Sequence, residues 1–278
     1  MSEATKPEAK RGGKNQGQRG RGGGSAKLRG LPKDSPEVRM SKTLSWVLRH
    51  GSQAEGLAMR PDGYVRVDDL LQIPKMTLDN LQGIVENDSK SRYHLKRETD
   101  EGVEPPKEVW WIRANQGHSL KEVKLDLQPV VSAVDIPTGI AVHGTNRKAW
   151  ELIREKGLSK MSRNHIHLAQ GVPGSGVISM RNSSQILIYV DVQKALDAGI
   201  KLFLSTNGVV LTEGDEKGFL GPQFFARVET VKGQALPGWE ATQAIPRIQE
   251  VKKAEATAKD TSTADVNATA AGLVTGNI

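Results

Sequence analysis

The sequence contains no cysteine. This absence excludes disulfide bonds, thiolate metal ligands and cysteine nucleophiles. No apolar run reaches the roughly 18 residues that a membrane-spanning helix needs, and the polar N-terminus lacks the apolar segment of a signal peptide. We therefore expect an intracellular protein, cytoplasmic or nuclear, that is neither secreted nor held in a membrane.

Large apolar side chains are scarce at both ends of the 278-residue chain. Residues 1–38 are rich in Arg and Gly, and residues 240–278 contain no aromatic side chain. Such segments bury too little apolar surface to offset the entropy of ordering, so both are predicted to be disordered tails. Residues 1–40 carry ten Lys and Arg against four Asp and Glu. The basic tail can attract nucleic acid in a salt-dependent way or act as a solubilising extension, and composition leaves both open.

The first apolar periodicity predicts a helix over 41–51. Leu44, Val47 and Leu48 form one stripe, Ser41 is predicted to cap the start, and Gly51 is predicted to end the helix in a left-handed conformation. Arg49 and His50 then fall in the last turn, where cations interact favourably with the helix dipole. Taken alone, this pair needs no further function.

The remainder of the segment 39–127 predicts a nucleic-acid-binding unit. A short strand at 64–67 precedes a helix capped by Asp68 or Asp69 and a second helix capped by Thr77. A strand at 91–95, a charged, Pro-containing stretch at 96–108 and a returning strand at 109–112 follow. Helix, short strand, two helices and a hairpin is the order of a winged helix, a unit that commonly binds nucleic acid, although fold alone does not prove function.

The octapeptide at 112–119 combines many hydrogen-bond donors with little bulk. It contains Arg113, Asn115, Gln116 and His118, which are suited to phosphate or RNA oxygens. The alternative is a polar loop whose side chains satisfy one another.

The segment 138–239 predicts an α+β sheet domain with many short strands and few helices. A strand at 140–145 ends at a His-Gly-Thr corner, and Asn146 and Gly157 are predicted to bound the helix that follows. His143, His165 and His167 lie on predicted strands. They could ligate zinc, hydrogen-bond within the sheet, or contact a ligand in a cleft.

These motifs together resemble the NAD-dependent RNA 2′-phosphotransferase family that acts on tRNA. The resemblance runs from about Ser41 to Phe225. It rests on SK-x-LS-x-x-LRHG at 41–51, DGYV-x-V-x-DLL at 62–71, Arg92 before an aromatic, IRANQGHS at 112–119, HGT at 143–145, R-x-HIHL at 163–168 and NGV-x-LT at 207–212.

The resemblance implies an α+β protein of two lobes. These are an N-terminal winged-helix RNA lobe over 39–127 and a C-terminal ADP-ribosyltransferase-like, NAD-binding lobe over 138–239, with RNA and NAD meeting between them. By motif, the family's catalytic set corresponds to Arg49, His50, Arg92 and Arg163. The positions that hold NAD correspond to His143, Gly144, Thr145, His167, Ser179 and Asn207.

The implied reaction transfers the splice-junction 2′-phosphate of tRNA to NAD in two steps. The phosphate first attacks ribose C1″ and expels nicotinamide, and ribose O2″ then attacks the phosphorus. The products are RNA with a free 2′-hydroxyl, nicotinamide and ADP-ribose 1″,2″-cyclic phosphate. The resemblance implies an enzyme that needs no metal ion and acts as a monomer. His50 would serve the second step, either as the acid for the departing RNA oxygen or as a phosphate contact.

Two features of the sequence depart from the family pattern. The hairpin between Tyr93 and Ile112 is longer than usual, and its inserted residues are predicted to form an exposed loop. A glycine is missing between Ser179 and Met180. Two other functions remain open: one-step ADP-ribosylation of nucleic-acid 5′-phosphates, and RNA binding without catalysis.

Overall fold

The structure, a computed structural model, describes residues 30–240 apart from 75, 102–103, 173–174 and 176–179. Ser179, residues 1–29 of the first predicted tail and residues 241–278 of the second lie outside the described residues. Residues 36–38 of the first tail are not disordered as predicted, because they form the start of a helix. The described part is a mixed α/β protein with four small antiparallel sheets. For description we divide it into a first half, residues 30–127, and a second half, residues 128–240.

The first half packs helices against a hairpin. Helix α1 (Pro36–Trp46) continues through a π-helical turn (Val47–Gly51) and a 3-10 turn (Gln53–Glu55). Strand β1 (Val65–Arg66), helices α2 (Val67–Leu70) and α3 (Leu78–Glu86), and strands β2 (Tyr93–Asp100) and β3 (Lys107–Ala114) follow. The sheet order is β1-β3-β2. Its buried face and the helices share one apolar cluster that includes Leu44, Leu48, Leu70, Leu81 and Ile112.

The predicted ends of the first helix are wrong. The helix begins at Pro36, with Ser35 as the N-cap that accepts from the Val38 amide, so Ser41 lies inside it. Proline at the first position is already shaped for a helix start. Gly51 is not left-handed but belongs to the π-helical turn. A Cβ there would overlap the ring of Trp46, so close packing explains this glycine.

The charged, Pro-containing stretch 96–108 contributes to strands β2 and β3, so it is not simply the exposed loop predicted for the inserted residues of this hairpin. Strands β2 and β3 pair from Tyr93↔Ala114 to Asp100↔Lys107. Opposite charges join β2 to the segment around β1: Arg60 binds Glu98 at 2.6 Å, and Arg66 binds Asp100 at 2.8 Å. Such cross-strand and neighbouring ion pairs stabilise a strand that has little apolar character.

Local capping rules succeed at some boundaries and fail at others. Thr77 accepts from the Asn80 amide and starts α3, as predicted. Helix α2, in contrast, begins after Arg66, so Asp68 and Asp69 lie in its first turn rather than at its cap. Acidic side chains are favourable there as well, because the first turn exposes backbone N–H groups.

The second half is built mainly from short strands. They are β4 (Gln128–Val130), β5 (Val142–Thr145), β6 (Leu158–Ser159), β7 (Ile166–Leu168), β8 (Ile186–Val190), β9 (Leu202–Leu204), β10 (Val210–Thr212), β11 (Phe219–Leu220) and β12 (Phe225–Thr230). The sheets have the orders β4-β9-β10-β7, β12-β8-β5 and β11-β6.

Helices α4 (Arg147–Lys156) and α5 (Val192–Asp197) pack on these sheets. Asn146 caps α4 by accepting from the Ala149 amide at 2.8 Å, and Gly157 ends it with a φ of 88°, as predicted. The largest apolar cluster of the described residues lies entirely within this half and includes Trp150, Leu168, Ile186 and Ile188. The winged-helix and ADP-ribosyltransferase-like assignments of the two halves stay predictions. Among the described helices, none is long and apolar enough to cross a membrane.

Candidate active site

A cleft of about 540 Å³ lies where the two halves meet. The first half contributes four basic or amide side chains, and the second half contributes two arginines, two histidines and a wall of small, apolar and polar side chains. The lining residues are Arg49, Lys90, Arg92, Gln116, Val142, His143, Gly144, Thr145, Asn146, Arg163, His167, Ala169, Met180, Arg181, Ser183, Ser184, Asn207 and Val209. Volumes of this size are typical of small-molecule sites.

Three arginines from distant parts of the chain converge on this cleft. Arg49 comes from the π-helical turn, Arg92 from the residue before β2, and Arg163 from the turn before β7. Among the described residues, Nε and Nη2 of Arg49 are buried without a hydrogen-bond partner. Burial lowers the pKa of Arg49, and the charges of Arg163 and Arg92 lower it further. Gathered cations with unsatisfied N–H groups form a ready site for an anion.

Arg92 is the member of this cluster with a carboxylate partner. The Asp88 side chain, only 2% exposed, accepts from both the backbone amide and the Nη1 group of Arg92. The Asn115 amide group donates to the Ser91 carbonyl at 2.8 Å, and the Asn115 backbone amide donates to the Arg92 carbonyl at 2.8 Å. The guanidinium and the backbone on both sides of Arg92 are thereby fixed.

Arg49 is fixed by the donor-rich segment 112–119. The Ser119 amide donates to the Arg49 carbonyl at 3.0 Å. Gly117 has a φ of 92°, and a Cβ at this position would lie 3.3 Å from Cδ of Arg49. The segment can therefore lie directly against the arginine only because residue 117 is glycine.

His50 follows Arg49 but does not line the cleft. Its Nδ1 atom lies 2.9 Å from Oγ of Ser119, which fixes the ring orientation. Burial lowers the pKa of His50 to about 4, and the charges of Arg163 and Arg49 act in the same direction. The imidazole is therefore neutral at neutral pH.

Arg163 is held by contacts between the halves. The backbone N–H of its neighbour Asn164 donates to the His118 carbonyl at 2.9 Å. The side-chain amide of Asn164 donates to the Leu120 carbonyl at 3.0 Å. Burial lowers the pKa of Arg163, and Arg181 lowers it further. The segment 118–120 thus sets the position of the third arginine as well as the first.

The opposite wall combines histidines with an apolar strip. Nδ1 of His143 donates a hydrogen bond to the His167 carbonyl oxygen at 3.0 Å. In the described part of the chain, Nε2 of His167 is buried and has no partner. Burial lowers the pKa of both rings, so they are neutral donors and acceptors at neutral pH. The adjacent Val142, Ala169, Met180 and Val209 supply apolar surface.

Most of the predicted site residues reach the cleft, and some do not. It gathers Arg49, Arg92, Arg163, Gln116, His143, Gly144, Thr145, His167 and Asn207. Arg113 instead stacks over the Tyr64 ring at 4.8 Å and donates to the Asp62 carbonyl at 3.3 Å. Asn115 supports the Arg92 segment, and His118 is buried below the surface at 2% exposure. The predicted direct phosphate contacts of Arg113, Asn115 and His118 are therefore not supported by their positions.

The three histidines considered for zinc do not converge on one point. His165 does not line the cleft and packs edge-on against Phe203, with ring centroids 6.4 Å apart. Across the described ranges, no group of three or more His, Cys, Asp or Glu side chains is arranged to hold a metal ion.

The sequence reasoning missed several residues of the cleft. Lys90 and Met180 line it, and Asp88 orients Arg92. A signal was present, because Asp88 and Lys90 immediately precede Arg92 in a short polar segment after α3. Polar residues clustered beside a functional arginine on a loop are candidates for the same site.

These features define a class of protein: one that holds a multiply charged anion, such as a phosphate group, opposite a polar and apolar wall suited to a second ligand. Comparison with known proteins agrees with this class. The sequence profile of the family described as RNA 2′-phosphotransferase, Tpt1 / KptA family, matches residues 35–214.

Curated relatives of similar length carry the same description. The chain is 43% identical over 223 residues to tRNA 2′-phosphotransferase 1 of Danio rerio, covering 78% of this chain and 93% of that protein. It is 41% identical over 216 residues to tRNA 2′-phosphotransferase 1 of Homo sapiens, covering 74% and 83%. It is 37% identical over 195 residues to tRNA 2′-phosphotransferase of Saccharomyces cerevisiae, covering 66% and 81%. The chain belongs to the RNA 2′-phosphotransferase, Tpt1 / KptA family, and it is a transferase.

Proposed function

We propose that this enzyme removes the splice-junction 2′-phosphate from ligated tRNA and transfers it to NAD, giving nicotinamide, ADP-ribose 1″,2″-cyclic phosphate and RNA with a free 2′-hydroxyl. The observation that carries the proposal is the convergence of Arg49, Arg92 and Arg163 on one cleft, opposite the wall of His143 and His167. The family membership and the names of the relatives support removal of a 2′-phosphate from tRNA, and NAD as the acceptor is the further part of the proposal.

The arginines bind the 2′-phosphate of the RNA. A phosphate carries close to two negative charges, and arginine stays charged even where burial lowers its pKa. Negative charge on the phosphoryl oxygens must be stabilised during transfer, and guanidinium groups that are already positioned do this without reorganisation. The unpaired Nε and Nη2 atoms of Arg49 supply N–H groups for this purpose.

The second wall suits a nucleotide co-substrate. The buried, unpartnered Nε2 atom of His167 offers a polar contact, and Val142, Ala169, Met180 and Val209 offer apolar surface for a ring or a ribose. We assign NAD to His143, Gly144, Thr145, His167 and Asn207 on this basis. When bound, NAD supplies an electrophilic ribose carbon with nicotinamide as its leaving group.

His50 acts beside the phosphate rather than beside the nucleotide. Its ring is oriented by Ser119 and lies in the field of Arg49 and Arg163. Entry of the phosphate dianion neutralises that field and raises the pKa of His50, so that the ring can take up a proton. A protonated His50 can then donate to the departing RNA oxygen or hydrogen-bond the phosphate.

We further propose that the first half serves as a winged-helix RNA lobe, the second as an ADP-ribosyltransferase-like lobe, and that the enzyme acts as an intracellular monomer. The order of elements α1, β1, α2, α3 and the β2–β3 hairpin supports the first assignment.

An assay of phosphate release tests the proposal. A short RNA with one internal 2′-phosphate is incubated with the enzyme, with and without NAD, and the RNA and nucleotide products are separated. We expect loss of the 2′-phosphate only with NAD, together with one nicotinamide per phosphate removed. A parallel RNA with only a 5′-phosphate tests the capping reaction. A stable adduct on that RNA, with no 2′-phosphate removal, would replace the proposed function.

Variants of the arginines separate the two steps. We expect Arg163→Ala and Arg92→Ala to slow the second step more than the first, so that ADP-ribosylated RNA accumulates. Equal loss of both steps, with no accumulated species on a gel, would contradict these roles.

A further inference from the structure

Lys90 connects the two walls of the cleft through both its backbone and its side chain. Its Nζ atom donates to the Met180 carbonyl at 3.2 Å, and its own carbonyl accepts from Nδ2 of Asn207 at 3.1 Å. It also lines the cleft, two residues before Arg92. None of the roles derived above uses this lysine.

The two contacts differ in how easily they can be exchanged. The bond from Asn207 holds the backbone of residue 90, and Ser205 in turn donates to Oδ1 of Asn207 at 2.9 Å, which sets the amide orientation. One bond from the ammonium ends instead on the carbonyl oxygen of Met180, a neutral acceptor at the cleft. A phosphate oxygen is a stronger partner for an ammonium than a neutral carbonyl, because both groups are charged.

The charges around Lys90 favour such an exchange. Burial and the neighbouring charge of Arg92 both lower its pKa, whereas Asp88 raises it. Asp88 is already bonded to Arg92 and points its carboxylate there. An anion that entered beside Arg92 would therefore relieve the repulsion between two cations that belong to one short segment.

We propose that Lys90 is a further phosphate-binding residue of this enzyme, whose ammonium leaves the Met180 carbonyl for a phosphate oxygen of the substrate while Asn207 keeps its backbone in place. The proposal rests on the proposed function. The phosphate can belong to the RNA or to the pyrophosphate of NAD. The sharing of one segment with Arg92 favours the RNA.

Salt dependence of binding provides the test, because a lost phosphate contact changes the salt slope as well as the affinity. Binding of a short, fluorescent, 2′-phosphorylated single-stranded RNA is measured by anisotropy without NAD at several KCl concentrations. For Lys90→Met we expect roughly tenfold weaker binding, the effect of one charge-assisted hydrogen bond. The slope of log K against log salt should shrink by about 0.7, the value for one contact to a single strand.

Two further variants act as controls. Lys90→Arg keeps the charge and should retain the wild-type slope. Lys194→Met removes an exposed lysine of α5 that does not line the cleft, and it should leave both slope and affinity unchanged. Binding of NAD alone by calorimetry forms the second arm. Weakening there, with RNA binding intact, would assign the contacted phosphate to NAD.

Two results would overturn the proposal. Unchanged binding of both ligands by Lys90→Met would leave Lys90 as a purely structural link. Weaker RNA binding with an unchanged slope of log K against log salt would show that Lys90 supports the structure of the site without contacting a phosphate. Failure of the proposed function looks different: the wild-type protein itself would then release no 2′-phosphate in the presence of NAD.

Discussion

The carboxylate of Asp88 holds Arg92 at two points, its backbone amide and its guanidinium. The Asp88 side chain is almost fully buried, whereas the Arg92 side chain is about one-third exposed and lines the cleft. The buried acid therefore acts as a fixed support for a cation that faces the substrate.

We expect Asp88→Asn to lower activity while the protein remains folded. Neutralising the acid frees the Arg92 guanidinium, and a catalytic group displaced by about 1 Å can cost on the order of 100-fold in rate. The free energy of unfolding should fall by about 1–2 kcal/mol, because Arg92 is partly solvated. Steady-state kinetics of 2′-phosphate release and urea unfolding measure the two effects.

Asp79→Asn is the matched control for this experiment. Asp79 is an exposed acid in the first turn of α3 and does not line the cleft. Its replacement should leave activity unchanged and cost a few tenths of a kcal/mol at most. If Asp88→Asn behaved in the same way, the supporting role of Asp88 would be wrong.

Gly51 should be intolerant of even one methyl group. A Cβ at this position would overlap the six-membered ring of Trp46, which is only 8% exposed and cannot swing into solvent without uncovering the core. We expect Gly51→Ala to reduce the free energy of unfolding by about 1–3 kcal/mol, as other overpacked core substitutions do.

Gly83→Ala should have the opposite effect on stability. Gly83 lies within α3, and nothing is within 4 Å of a Cβ there. Alanine is favoured over glycine inside a helix by up to about 1 kcal/mol, so the midpoint of urea unfolding should rise. A Gly51→Ala midpoint equal to that of the wild type would contradict the packing argument.

The contrast between these two glycines shows what the sequence could and could not predict. Thr77 and Asn146 start their helices and Gly157 ends one by rules that involve only neighbours along the chain, and all three were predicted correctly. Gly51 was assigned by the same rules and was misassigned, because the ring of Trp46 determines its environment. The strands at 96–108 were missed because ion pairs, rather than apolar alternation, stabilise them.

The site shows the same limit. Arg49, Arg92 and Arg163 are distant in sequence, and no periodicity relates them, so only their motifs suggested one site. Arg113 was grouped with phosphate-binding residues because the segment around it is rich in hydrogen-bond donors. Strand alternation nevertheless turns its side chain towards Tyr64. Lys90 was overlooked because its role depends on Met180 and Asn207 in the other half of the molecule.

Gly144→Ala should impair nucleotide use more than stability. The added Cβ would overlap Sδ of Met180 and Oγ of Ser184, two flexible ends that can move, so unfolding should change little. Both side chains line the cleft, however, and their displacement narrows it. We expect the KM for NAD to rise by roughly tenfold, equivalent to about 1.4 kcal/mol of lost binding. Gly83→Ala, measured in the same assay, should keep the wild-type KM. An unchanged KM for NAD in Gly144→Ala would show that the nucleotide does not bind against this part of the wall.

Stability should fall as the pH is lowered below neutrality, because burial keeps the histidines neutral. Burial lowers the pKa of His118 to about 3, and the charges of Arg49 and His50 lower it further. In the unfolded chain the His118 ring is protonated near pH 6.5, whereas in the folded chain it is protonated only at a much lower pH. The contribution of this ring is therefore complete above pH 6.5 and is lost progressively as the pH falls towards 3.

For His118 alone, this linkage amounts to roughly 2 kcal/mol between pH 7 and pH 5, since one pKa unit corresponds to about 1.36 kcal/mol. Urea unfolding at the two pH values measures it. His118→Gln lacks the titrating ring, so its stability should decline less over this interval than that of the wild type. His94→Gln, at an exposed position on β2, should reduce the decline much less. Equal declines in the wild type and in His118→Gln would show that His118 is accessible to protons in the folded protein.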